Sequence, residues 1–119
     1  MLISPVAQHW LQANQTICDD GDPLDRLRGA EQLLVYAWQR LGASLHGPAL
    51  TEGLRAVESA LQLPGTHDWV KKAAASLQHL KPEEGVAIAA ALVKRARSNW
   101  DKVLADYNID LGEGAVTSA

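Results

Sequence analysis

The sequence of 119 residues has no phenylalanine, one methionine, two tyrosines and a single cysteine. One thiol excludes an intramolecular disulfide and a cysteine-rich zinc site, and leaves nothing that points to an oxidising compartment. Long apolar runs are absent too. The longest, Gly85 to Val93 (GVAIAAALV), has nine residues, whereas a membrane-spanning helix needs roughly 20. The opening MLISPVAQHW has no basic segment ahead of an apolar core and reads as no secretory signal. No stretch carries a strand pattern, no glycine-rich strand-to-helix turn exists to cradle a phosphate, and neither G-x-S-x-G nor H-E-x-x-H occurs. These absences predict a cytoplasmic protein without membrane contact, cofactor or catalytic residues.

Charge is modest but unevenly placed. Fourteen acids against eleven bases give a net charge of −3. Residues 1–70 hold eight acids and four bases, residues 71–102 hold seven bases and three acids, and residues 103–119 hold three acids. Affinity for nucleic acid comes largely from neutralising phosphates, so a weakly acidic chain with one basic segment argues against DNA or RNA as the main partner. It fits an acidic protein surface, or the acidic half of a second copy.

What is present is helical. Leucine and alanine dominate, and glycine and proline fall mostly at the edges of apolar-periodic stretches, as a bundle with clear stops requires. A chain of this length holds one core. Ser4-Pro5 and Asp22-Pro23 are both helix starts, with a side-chain oxygen as cap and proline's fixed φ at the first helical position. Val6, Trp10, Ala13 and Ile17 give the first helix (4–18) an inward stripe. Leu24, Leu27, Leu34, Trp38 and Leu41, widened by Ala30, Leu33 and Ala37, do the same for the second (22–42), which Gly42 is expected to stop. Beyond the linker SLHGPAL, a third helix (48–62) carries Leu50, Leu54, Val57 and Leu61 on one face, and Leu63-Pro64-Gly65 ends it. Thr66 caps a fourth helix (66–80) that turns Val70, Ala73, Leu77 and Leu80 inward.

Lys81-Pro82-Glu83-Glu84 opens a fifth helix (82–107), with two acids in its first turn where the helix dipole favours them. Val86, Ala89, Val93, Ala96, Trp100, Val103 and Tyr107 recur at alternating steps of three and four, a heptad seam. Ile88 and Leu92 lie off that seam, which places the first half of this helix inside and makes it the expected centre of the bundle. From Asn108 the pattern stops, and residues 109–119 read as a disordered tail.

The most concentrated polar stretch, Cys18-Asp19-Asp20-Gly21-Asp22-Pro23, is helix punctuation. Asp22 caps the second helix, Asp25 sits in its first turn, Gly21 makes the turn, and Asp19 and Asp20 fill the link. A calcium loop of EF-hand type wants acids at alternate positions and a closing glutamate at the twelfth, a spacing that Asp20, Asp22 and Asp25 break. Cys18 has no histidine or base near it in sequence and reads as a small buried hydrophobe. His9, His46, His67 and His79 are far apart and form no ligand spacing.

Two segments bear a resemblance to known families. SLQHLKPEEG resembles the active-site segment of histidine phosphotransfer domains, which implies His79 as phosphoryl acceptor and Lys81 as its neighbour; here no residue separates His79 from Leu80-Lys81, and Pro82 breaks the helix that the family continues. LTEGLRAVESALQLPGTHDWVKKAAASL is loosely similar to a DNA-reading helix-turn-helix, which implies that the hairpin of the third and fourth helices enters the major groove. Its turn is long and stiff, and Trp69 and Val70 stand where base-reading polar residues belong.

The expectation is an all-α fold, a five-helix antiparallel bundle over residues 1–108 with a long C-terminal helix and a disordered tail. By elimination the function is protein–protein interaction, as a regulator, adaptor, inhibitor or subunit, with another protein or with a second copy as a homodimer along the heptad seam. The partner-binding residues expected are Lys71, Lys72, Lys94, Arg95, Arg97, Trp100 and Lys102, with Trp100 as anchor because buried tryptophan and arginine dominate interface energetics. The other tryptophans are expected in the core. A DNA-binding regulator and a phosphotransfer domain are the alternatives.

Overall fold

The computed structural model describes residues 3–107, which form five helices: α1 (Pro5–Asp19), α2 (Pro23–His46), α3 (Pro48–Leu61), α4 (Asp68–Leu77) and α5 (Pro82–Tyr107). The fold is all-α. The tail expected from residue 109, and the side chains of Leu50 and Tyr107, lie outside the described residues.

The start signals act as the sequence implies. Ser4 Oγ accepts from the Ala7 amide at 3.2 Å, and Asp22 Oδ1 accepts from the Leu24 amide at 3.4 Å, each ahead of a proline at the first helical position. Gly21 turns the chain between them at φ +104°, where a side chain would also press on the Arg26 guanidinium 2.7 Å away. The Asp-rich stretch is therefore a turn and a cap.

One stop and one start differ from expectation. Gly42 stays helical and α2 runs on to His46, because Ala43, Ser44 and Leu45 all tolerate the helix. The stop is Gly47, at φ +62° and directly before Pro48, so one residue separates α2 from α3. At the other end of α3, Thr66 caps nothing: its hydroxyl donates back to the Ala60 carbonyl at 3.2 Å, and α4 begins two residues later without a side-chain cap.

Polar contacts fix the directions. Ser4 N donates to Glu84 at 2.8 Å and Arg95 pairs with Asp19 at 2.6 Å, so α1 and α5 run side by side in parallel. Arg97 pairs with Glu31 at 3.2 Å while Gly85 lies near Arg40, so α5 runs antiparallel to α2. Trp10 Nε1 donates to the Ala73 carbonyl at 3.0 Å, joining α1 to α4. α1 and α5 thus run in one direction and α2 in the other. α1, α5, α2 and α4 surround one core, and α3 packs against α2 and contributes Leu61, with Leu54 and Val57 beside it, to that core. α2 packs on all four other helices and α5 chiefly on α2 and α1. The hub is α2, a correction to the expectation that the fifth helix is central.

The buried stripes are partly rotated from those predicted. α1 buries Ala7, Trp10, Asn14 and Cys18, leaving Val6 64% exposed. The rotation follows from Trp10, whose indole must reach Ala73, and from Asn14, which goes under cover because its amide donates to the Trp10 carbonyl at 2.8 Å. α2 buries Leu27, Gly29, Ala30, Leu33, Tyr36 and Ala37. Glycine and alanine there admit close neighbours: the space above Gly29 is filled by the Trp69 ring and by Val70. α4 buries Val70, Ala73 and Leu77 as expected but ends at Leu77, so that Leu80, expected on the same helix, is buried in the link beyond it; α5 buries Ile88, Ala89, Leu92 and Ala96.

Candidate interaction surface

The core set of α2 leaves a second apolar stripe on its outer side. Val35 is 50% exposed, Trp38 55% and Leu45 68%, and their steps of three and seven keep them on one face. Trp38 is expected in the core from its spacing with Leu34 and Leu41, and is found outside, because α2 turns Ala30, Leu33 and Ala37 inward instead. Large apolar side chains grouped on a surface mark binding sites, whereas single ones need no explanation. α5 borders this face. Given the Arg97–Glu31 contact and the antiparallel course, two turns of each helix bring exposed Ala90 level with Trp38, and two more bring exposed Glu83 level with Leu45.

The expected partner-binding residues are distributed differently. Trp100, the anticipated anchor, is half-buried and packs against the core. Arg95 and Arg97 are exposed but engaged: Arg95 forks onto Asp19 at 2.6 and 2.9 Å, and Arg97 reaches Glu31. Asn99 Nδ2 also donates to Asp19 at 2.8 Å, and together these donors hold the Asp19 carboxyl down at about 2. Lys94, Lys102 and Lys72 are exposed and Lys71 is half-buried. α4 has no extended contact with α5, so the α4 lysines and the α5 cations do not form one basic face. The first half of the heptad seam is used within the chain, where Ala89 and Ala96 are fully buried.

Open clefts flank the bundle. One of about 480 Å³ lies between α2 and the α3–α4 turn, lined by Asp25, Arg28, Glu31, Gln32, Val35 and His67, and so adjoins the outer stripe. Another of about 360 Å³ runs between α1 and α4 past Asn14, Trp69 and Lys72. Trp69 Nε1 is buried without a hydrogen-bond partner among the described residues, and the Arg26 guanidinium lies 5.4 Å from the centre of the Trp69 ring.

Groups with chemical potential are isolated. All four histidines are exposed, and His79 lies two residues past the end of α4, its amide donating to the Ser76 carbonyl at 3.1 Å, rather than on a continuous helix. Burial pushes the Cys18 thiol up to about 11, away from thiolate reactivity. Among the described residues no three histidine, cysteine or acidic side chains stand together to hold a metal ion, and no helix is long and apolar enough to cross a membrane. α3 and α4 do not form an extended packed pair, and Trp69, at the start of the would-be reading helix, is wedged inward against Gly29.

Sequence reasoning misses three further residues. Arg40, on α2, donates to the carbonyls of Leu77, Gln78 and Leu80, closing the C-terminal end of α4 from a different helix. Val35 and Leu45 pass unnoticed because α2 has two apolar stripes. The signal that separates them is size, since alanine and glycine accompany the inward one. No family model, curated protein or solved structure matches the chain.

Proposed function

We propose that the chain is a non-enzymatic binding module that presents the outer face of α2 to another protein. The observation that carries this reading is Trp38, an indole 55% exposed at the middle of an apolar stripe, between Val35 and Leu45. Tryptophan gains most at an interface because it buries a large rigid area at small entropic cost. Lys94 and Arg97 of the expected set border this face through α5, and supply the polar rim that interfaces use around an apolar centre. The raised thiol of Cys18 and the scattered, exposed histidines support the non-enzymatic part of the reading. A reducing, cytoplasmic setting belongs to the same proposal and is supported by the single cysteine.

The test is photo-crosslinking in cells that make the protein, with a photoreactive aromatic residue replacing Trp38 or, as control, the exposed Gln12 of α1. A discrete adduct from position 38 and none from position 12 is the expected outcome. Equal background from both positions would remove the outer face of α2 as a docking surface.

A further inference from the structure

We propose that the outer face of α2 receives a second copy of this chain, laid antiparallel with the two-fold axis passing near Trp38. The inference rests on that face being a docking surface, and names its partner. A two-fold contact must be self-complementary, each end of the patch matching the other. This face has that property. Trp38 stands midway between Glu31 and Leu45, seven residues from each. At the Glu31 end lie Arg97 and the exposed Lys94, for which no ion pair exists among the described residues. Glu31 engages Arg97 there and not Lys94. At the Leu45 end lies Glu83, exposed and likewise without an ion pair among the described residues. Lys81 sits close to Glu84, which accepts from Ser4 at the α1–α5 seam, so that cation belongs to a different side of the α5 start.

A half-turn about Trp38 therefore brings the acidic end of each copy over the cationic end of the other, twice, on either side of an apolar centre. In the centre, Ala90 stands level with Trp38, and its small side chain leaves room for the partner copy's indole to lie across α5. An unrelated partner requires no such match between the two ends. The charge polarity is what favours a second copy, because opposed charges fix register and orientation in an interface.

The size of the face sets the strength. From Glu31 to Leu45 it is about 21 Å long, and two adjacent helices are roughly 20 Å wide. A footprint on the order of 400 Å² per copy belongs to weak, reversible association rather than to a permanent dimer.

Sedimentation equilibrium on the full chain, carried to about 500 μM because contacts of this size are weak, reads the result directly. The wild-type mass is expected to rise with concentration from 12.8 kDa toward twice that value. Trp38→Glu and Leu45→Gln should each weaken association, Trp38→Glu by at least about tenfold. Glu83→Arg should weaken it by about threefold or more, and Glu83→Arg combined with Lys94→Glu should restore it to within about threefold of wild type, since Lys94 has no ion pair among the described residues and only the pairing across the interface is exchanged. Circular dichroism confirms that each variant stays helical. A wild-type mass fixed at 12.8 kDa throughout, a Trp38→Glu variant that associates as wild type does, or a double variant that fails to recover would overturn the inference. If photo-crosslinking from position 38 then still captures a different chain, the docking reading stands and the second copy alone is excluded. If it captures nothing, both fall.

Discussion

The two sides of α2 are built from similar residue types and do opposite things. Inward it turns Ala30, Leu33 and Ala37, each at most 1% exposed; outward it turns Val35, Trp38 and Leu45, each at least half exposed. Hydrophobicity does not separate the two sides, since the outer one has the larger side chains. Neighbour geometry separates them. Four helices converge on α2, and close approach demands glycine and alanine at the crossing points. The bulky stripe is left where none of the described helices covers it. A helix at the hub of a small bundle thus serves the core with its small face and leaves its large face exposed.

The sharpest way to test that division is to remove volume from the inner side. Leu33→Ala empties a fully buried site, and a loss of about 2–5 kcal/mol in a urea titration is expected from the missing contacts and residual cavity. Adding volume should also be costly. A Cβ at position 29 would fall 2.9 Å from Val70 Cγ2 and nearer still to the Trp69 ring. Gly29→Ala gains helix propensity, yet a net loss of about 1–2 kcal/mol is expected because the overpacking outweighs that gain. Combining it with Trp69→Leu should recover most of the loss. Failure to recover would show that the indole is not what fills the space above Gly29.

Between the two sides stands Arg40, which spans from α2 to the last carbonyls of α4. Arg40→Ala is expected to lower stability by about 1–3 kcal/mol, since carbonyls near a helix end lose charged donors. Hydrogen exchange should accelerate first at Leu80 and His79. Unchanged exchange there would mean that water replaces the guanidinium without loss. A contact away from α2 provides a pH-dependent comparison. Asp19 has its carboxyl at about 2, below the ordinary 3.8, because Arg95 and Asn99 donate to it. A lowered folded-state pKa gives stability that is present above about 4 and is lost as pH falls through about 2. Asp19→Asn should therefore melt below wild type at neutral pH, with the gap closing across that window. Both partners are exposed, so the gap should amount to no more than about 1 kcal/mol. A pH-independent gap would mean that the ion pair is not its source.

Sequence patterning conveys the helices well and their rotation poorly. Ser4-Pro5 and Asp22-Pro23 mark starts because capping is local chemistry, complete within four residues. Gly42 misleads because glycine permits a stop without requiring one, while Gly47 before Pro48 does require it. The heptad in α5 correctly places Ala89 and Ala96 inside. In α1 and α2 the stripe depends on partners remote in sequence. Asn14 is buried because Trp10 accepts its proton bond, and Trp38 is exposed because Trp69 occupies the position beside Gly29 on the far side of the helix. The candidate surface was illegible for the same reason. Residues expected on α5 border the candidate face, whose exposed tryptophan lies on α2, and only the packing of the other helices reveals which tryptophan is left over.

The smallest expected effect on stability is the one that decides what the outer stripe is for. Leu45 is 68% exposed, near the C-terminal end of α2 and one residue before His46. Little of its surface is withdrawn from water by folding, and glutamine has nearly the helix propensity of leucine, so Leu45→Gln should change stability by no more than about 0.5 kcal/mol in either direction. The same substitution should weaken association measurably, because burial of that side chain is deferred to the complex. Stability and association are then separable at this position, as they are not at Leu33, where loss of the core undermines both. If Leu45→Gln instead unfolds the chain as readily as Leu33→Ala does, the stripe is part of the fold and the difference between the two sides of α2 disappears. If it leaves both stability and association untouched, Trp38 alone carries the contact and the interface is narrower than a two-helix face.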